Sequence, residues 1–135
     1  MNRISALILA AVFSVSLSYG RISPNMHFTH LDAKDGLSIG SVTSICFDRY
    51  GIVWIGTGYG LNSYDGNSVT QHIQTRHSNS IIKLCTDGHE TLFIASLGEL
   101  CSMDLRTREY TAIFPHTCSS IDYRDRLYAA SGRNL

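Results

Sequence analysis

A motif of aromatic, aliphatic, small and hydroxyl residue occurs twice at a fixed spacing, and it narrows the folds open to this chain more than any other feature. Trp54, Ile55, Gly56 and Thr57 recur as Phe93, Ile94, Ala95 and Ser96, an offset of 39 residues (93 minus 54). At that offset Val42 matches Ile81, Ile45 matches Leu84, Cys46 matches Cys85, Asp48 matches Asp87, Leu61 matches Leu100 and Asp65 matches Asp104, with no gap. A third, weaker copy begins at Tyr128, Ala129, Ala130 and Ser131, with the spacing shortened to 35 (128 minus 93), and runs to Leu135. Self-similarity at such a period marks a chain of stacked supersecondary units.

Each unit reads as strands. Ser41 to Asp48 is rich in β-branched and apolar residues, Arg49 to Gly51 is a turn, and Ile52 to Thr57 is a second dense run. Gly58 to Gly60 makes another turn, Leu61 to Tyr64 a third strand, Asp65 to Asn67 a third turn and Ser68 to Ile73 a fourth strand. Asp65-Gly66-Asn67 offers the residues that adopt positive φ in tight hairpins. Four short strands per unit are the dimensions of one propeller blade, so the expected fold is all-β: blades of four antiparallel strands, two to three in number and an incomplete ring. Alternation predicts that Val42, Ser44 and Cys46 face one way and Thr43, Ile45 and Phe47 the other, with neither face strongly polar, as in a blade covered on both sides. A β-sandwich also has short strands, but it has no reason to repeat one motif at a fixed offset. The expected division is a signal peptide over 1–20, a lead-in segment over 21–40, blade 1 over 41–77, blade 2 over 78–116 and the truncated start of blade 3 over 117–135.

The N-terminal division rests on Arg3 followed by an apolar run from Ile4 to Leu17 that only serines interrupt. Fourteen helical residues reach about 21 Å, short of the roughly 30 Å hydrocarbon layer. Ser18 and Gly20 place small residues at the −3 and −1 positions, which puts cleavage after Gly20; the competing reading is an uncleaved anchor. Export permits disulfides among Cys46, Cys85, Cys101 and Cys118, and four cysteines allow three pairings. Small buried strand residues are the simpler reading, since Cys46 and Cys85 share one repeat position. The 11 basic and 11 acidic residues cancel, so nothing in the charge points to nucleic acid or to contact of the mature segment with an anionic membrane.

With these motifs in place, the chain resembles the periplasmic propeller repeats of bacterial hybrid two-component regulators, abundant in gut Bacteroidetes that degrade complex glycans. The pattern in this sequence is Phe28, then Asp35-Gly36-Leu37-Ser38, Val42 to Asp48, Gly51, Trp54 to Thr57, Gly60-Leu61 and Tyr64-Asp65-Gly66. The second copy departs from it, with Phe93 for Trp, Ala95 for Gly and Glu99 for Gly. The resemblance implies a sensor segment exported to the periplasm, with a parent anchored in the inner membrane. That parent would have two propellers, an immunoglobulin-like domain, one membrane helix, a histidine kinase, a receiver and a DNA-binding region. It implies an oligosaccharide ligand and a homodimeric parent, with the kinase chemistry downstream of this segment.

The repeat positions Trp54, Gly56, Thr57, Gly60, Leu61, Asp65, Gly66, Phe93, Ala95, Ser96, Leu100 and Asp104 are read as fold-making, because they recur in each unit whereas a binding site is built once. Trp54 supplies about 2–3 kcal/mol of buried transfer energy, Gly56 permits close backbone approach and Thr57 satisfies a nearby backbone group. Gly56-Thr57-Gly58-Tyr59-Gly60 fails as a dinucleotide loop, since Leu61 stands where the third glycine belongs. The pairs His27 with His30 and His72 with His77 lack cysteine or carboxylate partners at a ligand spacing and read as solvated loop residues. Asp48, Asp87, Asp104 and Asp122 read as Asx turns at strand ends; Arg106, Arg108, Arg124 and Arg126 read as solvent-facing turn residues. No catalytic residue, metal site or cofactor is expected here. The competing functions are a carbohydrate-active enzyme on a propeller scaffold and a structural or protein-binding propeller.

Overall fold

The computed structural model describes residues 30–38, 41–72 and 79–132. The predicted signal peptide, Phe28, His27, His77 and Leu135 lie outside them. The strands belong to the compact unit Leu31–Leu135.

Among the described residues, ten strands follow a single 3-10 turn, Ala33–Asp35. Strands β1 (Val42–Phe47), β2 (Val53–Thr57), β3 (Gly60–Tyr64) and β4 (Val69–His72) form one antiparallel sheet in sequential order, blade 1. Strands β5 (Ile81–Thr86), β6 (Thr91–Ser96), β7 (Leu100–Asp104) and β8 (Tyr110–Phe114) form blade 2 in the same order, and β9 (Ser120–Tyr123) pairs with β10 (Leu127–Ala130) to begin a third. The fold is the expected all-β stack of four-stranded blades. Strand β5 lies against β1 and β2, and β9 against β5 and β6, so the first strands of successive blades are spatial neighbours.

The two interfaces between blades hold the two apolar cores. Trp54 and Leu61 of blade 1 meet Ile81, Leu84, Leu92, Ile94, Met103 and Leu105 of blade 2. Phe93, Ala95 and Leu100, on the far side of blade 2, meet Cys118, Ile121 and Leu127. The aromatic position of each repeat therefore faces the next blade. A β-bulge between Val42 and Ser44, repeated between Ile81 and Lys83, breaks the expected alternation. Thr43 was expected beside Ile45 and Phe47; the extra residue turns it toward blade 2, where its hydroxyl donates to Ile81 O at 2.8 Å. Ser44 accepts from Leu84 N at 3.0 Å on the same side. Ile45 and Phe47 are left exposed on the other.

The first turn of each blade depends on its aspartate. Asp48 Oδ1 accepts from Tyr50 N and Ile52 N at 2.9 and 3.0 Å, and Asp87 Oδ1 accepts from His89 N and Thr91 N at 2.8 and 3.0 Å. Asp122 departs from this expectation. Only Arg124 to Arg126 separate the paired Tyr123 and Leu127, against Asp48 to Ile52 in blade 1, so the shorter loop draws Asp122 into the strand ladder opposite Tyr128. In the third turn of blade 1, Asp65 Oδ1 accepts from Asn67 N and Ser68 N, and these bonds hold its carboxyl below the usual range. Gly66 takes φ +96° there, whereas Asn67 stays at negative φ.

Candidate functional site

The seam between blades 1 and 2 joins hydrogen-bonded, aromatic and cationic side chains from both blades. It is built around Trp54. The indole is fully buried and its Nε1–H donates to Asp48 Oδ2 at 2.9 Å, so one carboxylate closes the turn with one oxygen and anchors the tryptophan with the other. The His72 ring lies 5.1 Å from the Trp54 ring, and His72 Nε2 is 2.8 Å from Ser63 Oγ. Arg108 reaches across from the β7–β8 turn of blade 2, with its guanidinium carbon 4.9 Å from the indole centroid.

Two expectations change here. His72 is a half-buried residue of β4 rather than a solvated loop histidine, and Arg108 remains exposed yet lays its guanidinium on the tryptophan. Arg108 holds φ +63°, a conformation that glycine adopts far more easily. Its N–H donates to Asp104 O at 2.9 Å, while Asp104 Oδ1 accepts from Arg106 N and Thr107 N, both at 2.8 Å. The β7–β8 turn is longer than the β3–β4 turn and brings an arginine to its far end.

Burial, then the Arg108 charge, lowers the His72 pKa. The unfolded chain therefore binds the His72 proton more readily than the folded one. Stability is expected to hold above about pH 6.5 and to fall as the pH drops below it, as the unfolded histidine charges first. Melting temperatures between pH 8 and 5 report this, and His72→Gln should flatten that window. The lowered pKa values of Asp65, Asp87 and Asp104 act only below about pH 4 and leave it undisturbed.

At the rim of blade 1 a second network fixes the lead-in segment. Asp32 and Asp35 form a capping box around the 3-10 turn, and Gly36 closes it at φ +96°. Ser38 N donates to Asn62 Oδ1 at 3.0 Å, Asn62 Nδ2 donates to Ser38 Oγ at 2.8 Å, and Ser38 Oγ lies 2.8 Å from Thr57 Oγ1. Thr57 Oγ1 also receives Tyr59 N and Gly60 N, both at 3.1 Å. Asn62 is fully buried and stands at the repeat position of Cys101, whose thiol reaches Ile94 O as Asn62 reaches Ile55 O. Asn62→Ala leaves Ser38 N unpaired and is expected to cost about 1–2 kcal/mol in urea unfolding, with Asn62→Cys costing less.

Two open cavities lie along the rim formed by the β2–β3 and β6–β7 turns and the segments leading into β1 and β9. One, of about 550 Å³, is lined by Ala33, Leu37, Ser38, Tyr59 and Gln71. The other, of about 460 Å³, is lined by Gly98, Pro115, His116, Thr117 and Ser131 among others. Tyr59 is 67% exposed and offers an aromatic face beside hydroxyl and amide groups. On the opposite rim Glu90 of blade 2 accepts from Tyr50 Oη at 2.6 Å and from Arg49 Nη1 at 3.1 Å. That contact is exposed and worth little.

All four cysteines are free. Burial pushes the Cys46 and Cys101 thiols up to about 12 and Cys85 to about 11, which keeps them protonated and poor nucleophiles. Among the described residues no group of three His, Cys, Asp or Glu side chains stands where it could hold a metal.

Residues 36–59, which span Gly36, β1, β2 and the following turn, match the family model described as two component regulator propeller. Those residues are similar to a two-component-regulator propeller repeat. The internal repetition carries the same pattern into blade 2. In structure, the chain is similar to the extracellular domain of a protein from B. thetaiotaomicron described as hybrid two component system BT3049, with a TM-score of 0.66 at 21% identity over 75% of this chain. It spans 17% of the length of that domain. A second extracellular domain from the same organism, of a protein described as hybrid two component system BT4673, aligns over 74% of this chain and 20% of its own, at 21% identity and a TM-score of 0.35. No curated protein matches the chain in sequence. No helix among the described residues is long and apolar enough to cross a membrane.

Proposed function

We propose that this chain is the exported N-terminal propeller segment of a hybrid two-component sensor, and that the propeller it helps build recognises an oligosaccharide outside the inner membrane. The observation that carries this reading is the match of residues 36–59 to the two-component-regulator propeller repeat. The fold shared with an extracellular domain of such a system supports it. The chain's charge balance and the exposed Tyr59 beside Gln71 favour a neutral, ring-bearing ligand over an anionic polymer. In the parent, a homodimer would carry ligand binding across the membrane as a shift between subunit arrangements.

The test is transcription in the source bacterium grown on a panel of complex glycans, with the gene intact and deleted. Loss of induction on one glycan class is the expected result. An unchanged response overturns the sensing role. Continuation of the reading frame into a soluble catalytic domain without a membrane helix overturns the two-component role and favours a carbohydrate-active enzyme.

A further inference from the structure

Two groups from different blades, both able to carry positive charge, rest on the same indole. The His72 ring, on β4 of blade 1, lies 5.1 Å from the Trp54 ring, and the Arg108 guanidinium, on the β7–β8 turn of blade 2, lies 4.9 Å from it. The two are held differently. His72 is half-buried, with Nε2 2.8 Å from Ser63 Oγ, and a hydroxyl can accept from or donate to that nitrogen, so this partner suits the charged ring as well as the neutral one. Arg108 is exposed at the end of its turn, and its side chain is free to trade the ring for water. The carboxylates of the elements that meet here face elsewhere. Asp48 binds the indole N–H and its own turn, Asp65 binds Asn67 N and Ser68 N, and Asp104 binds Arg106 N and Thr107 N. Burial and the Arg108 charge are the influences that act on the protonation of His72 among the described residues; the exposed Glu109 is not one of them.

We propose that the Arg108–Trp54 contact is a proton-operated latch between blades 1 and 2: when His72 takes up a proton from solvent, the like charges on one indole repel and Arg108 swings off the ring. Arg108 leaves because it is the exposed member, while the hydrogen bond to Ser63 keeps His72 in place. The β7–β8 turn then loses its hold on blade 1. The apolar seam of Trp54 and Leu61 with Leu84, Leu92 and Ile94 stays shut, so the opening is local and uncovers one face of the indole.

The chain holds 1 tryptophan, so acrylamide quenching of its fluorescence reads this ring alone. Circular dichroism at each pH reports whether the blades remain folded. Between pH 8 and 5 the wild-type quenching constant should rise about twofold in one step centred below about pH 6.5, with the dichroism unchanged. His72→Gln should keep the low value throughout. Arg108→Gln should start at the raised value and keep it, and the midpoint of its His72 ring signal in proton NMR should lie higher than in the wild type, because the opposing charge is gone. A wild-type constant that stays low to pH 5 overturns the proposal, as does a step that persists in His72→Gln. A rise that comes only with loss of the dichroism signal overturns it too, since the seam then opens by unfolding.

Discussion

Trp54→Ala is expected to lower unfolding free energy by about 3–5 kcal/mol, a loss comparable to the whole stability of a small domain. Three contributions add. The indole is fully buried among Leu61, Leu84, Leu92 and Ile94, so its removal leaves a cavity at the centre of the seam. Asp48 Oδ2 loses the Nε1–H donor while the residue stays 7% exposed. The guanidinium of Arg108 and the ring of His72 lose the surface they rest on. Trp54→Phe narrows these effects: it keeps one aromatic ring, as Phe93 does in blade 2, and removes the donor together with the five-membered ring that carries it, for an expected cost of about 1–3 kcal/mol. Urea unfolding followed by circular dichroism reads both; equal losses in the two variants would mean that the Asp48 hydrogen bond and the ring that carries it, not the six-membered ring, dominate.

Gly56→Val is expected to cost about 3 kcal/mol, the upper end of the range for overfilling a core. A Cβ at Gly56 would stand 2.6 Å from Ile81 Cγ2 and 3.1 Å from Ile81 Cβ, and a β-branched side chain has little freedom to withdraw. Ile81→Ala in the same chain opens that space, so the double variant should be less destabilised than the two single losses added together. Additive losses would place the cost in the strand rather than in the seam. The second interface shows the same constraint solved differently. Ala95 replaces Gly56 in blade 2 and packs with Cys118, which stands two residues ahead of the ladder residue Ser120 as Ile81 stands two ahead of Lys83. A methyl group is added on one side and a smaller side chain receives it on the other.

The repeat made the blades legible. A motif conserved at a fixed offset implies a unit that packs on copies of itself, and the turn residues at Asp48, Gly51, Asp65 and Gly66 mark where its strands end. Trp54, Gly56 and Thr57 could be singled out because each demands a particular environment: a large cavity, a missing Cβ, a backbone partner. The seam contacts were not legible in the same way. His72 and Arg108 lie 36 residues apart (108 minus 72) on strands and turns of different blades, and nothing in their local sequence says that both reach one tryptophan. Asn62 and Ser38 met the same obstacle, since an asparagine in a strand reads as surface until its partner is seen to lie across it.

By itself the sequence determined the period, the strand-and-turn grammar and the composition of the blade faces, because these depend on local conformational preference and on alternation along one strand. Only the tertiary structure decided which face meets which, and it did so through backbone register. A bulge after Val42 turns Thr43 toward blade 2. A shorter loop moves Asp122 from its turn into the ladder. A left-handed residue at Arg108 aims a charge at a buried ring. Each shifts a side chain by a residue or less along the chain, a displacement that leaves the hydrophobic pattern intact and changes its partners.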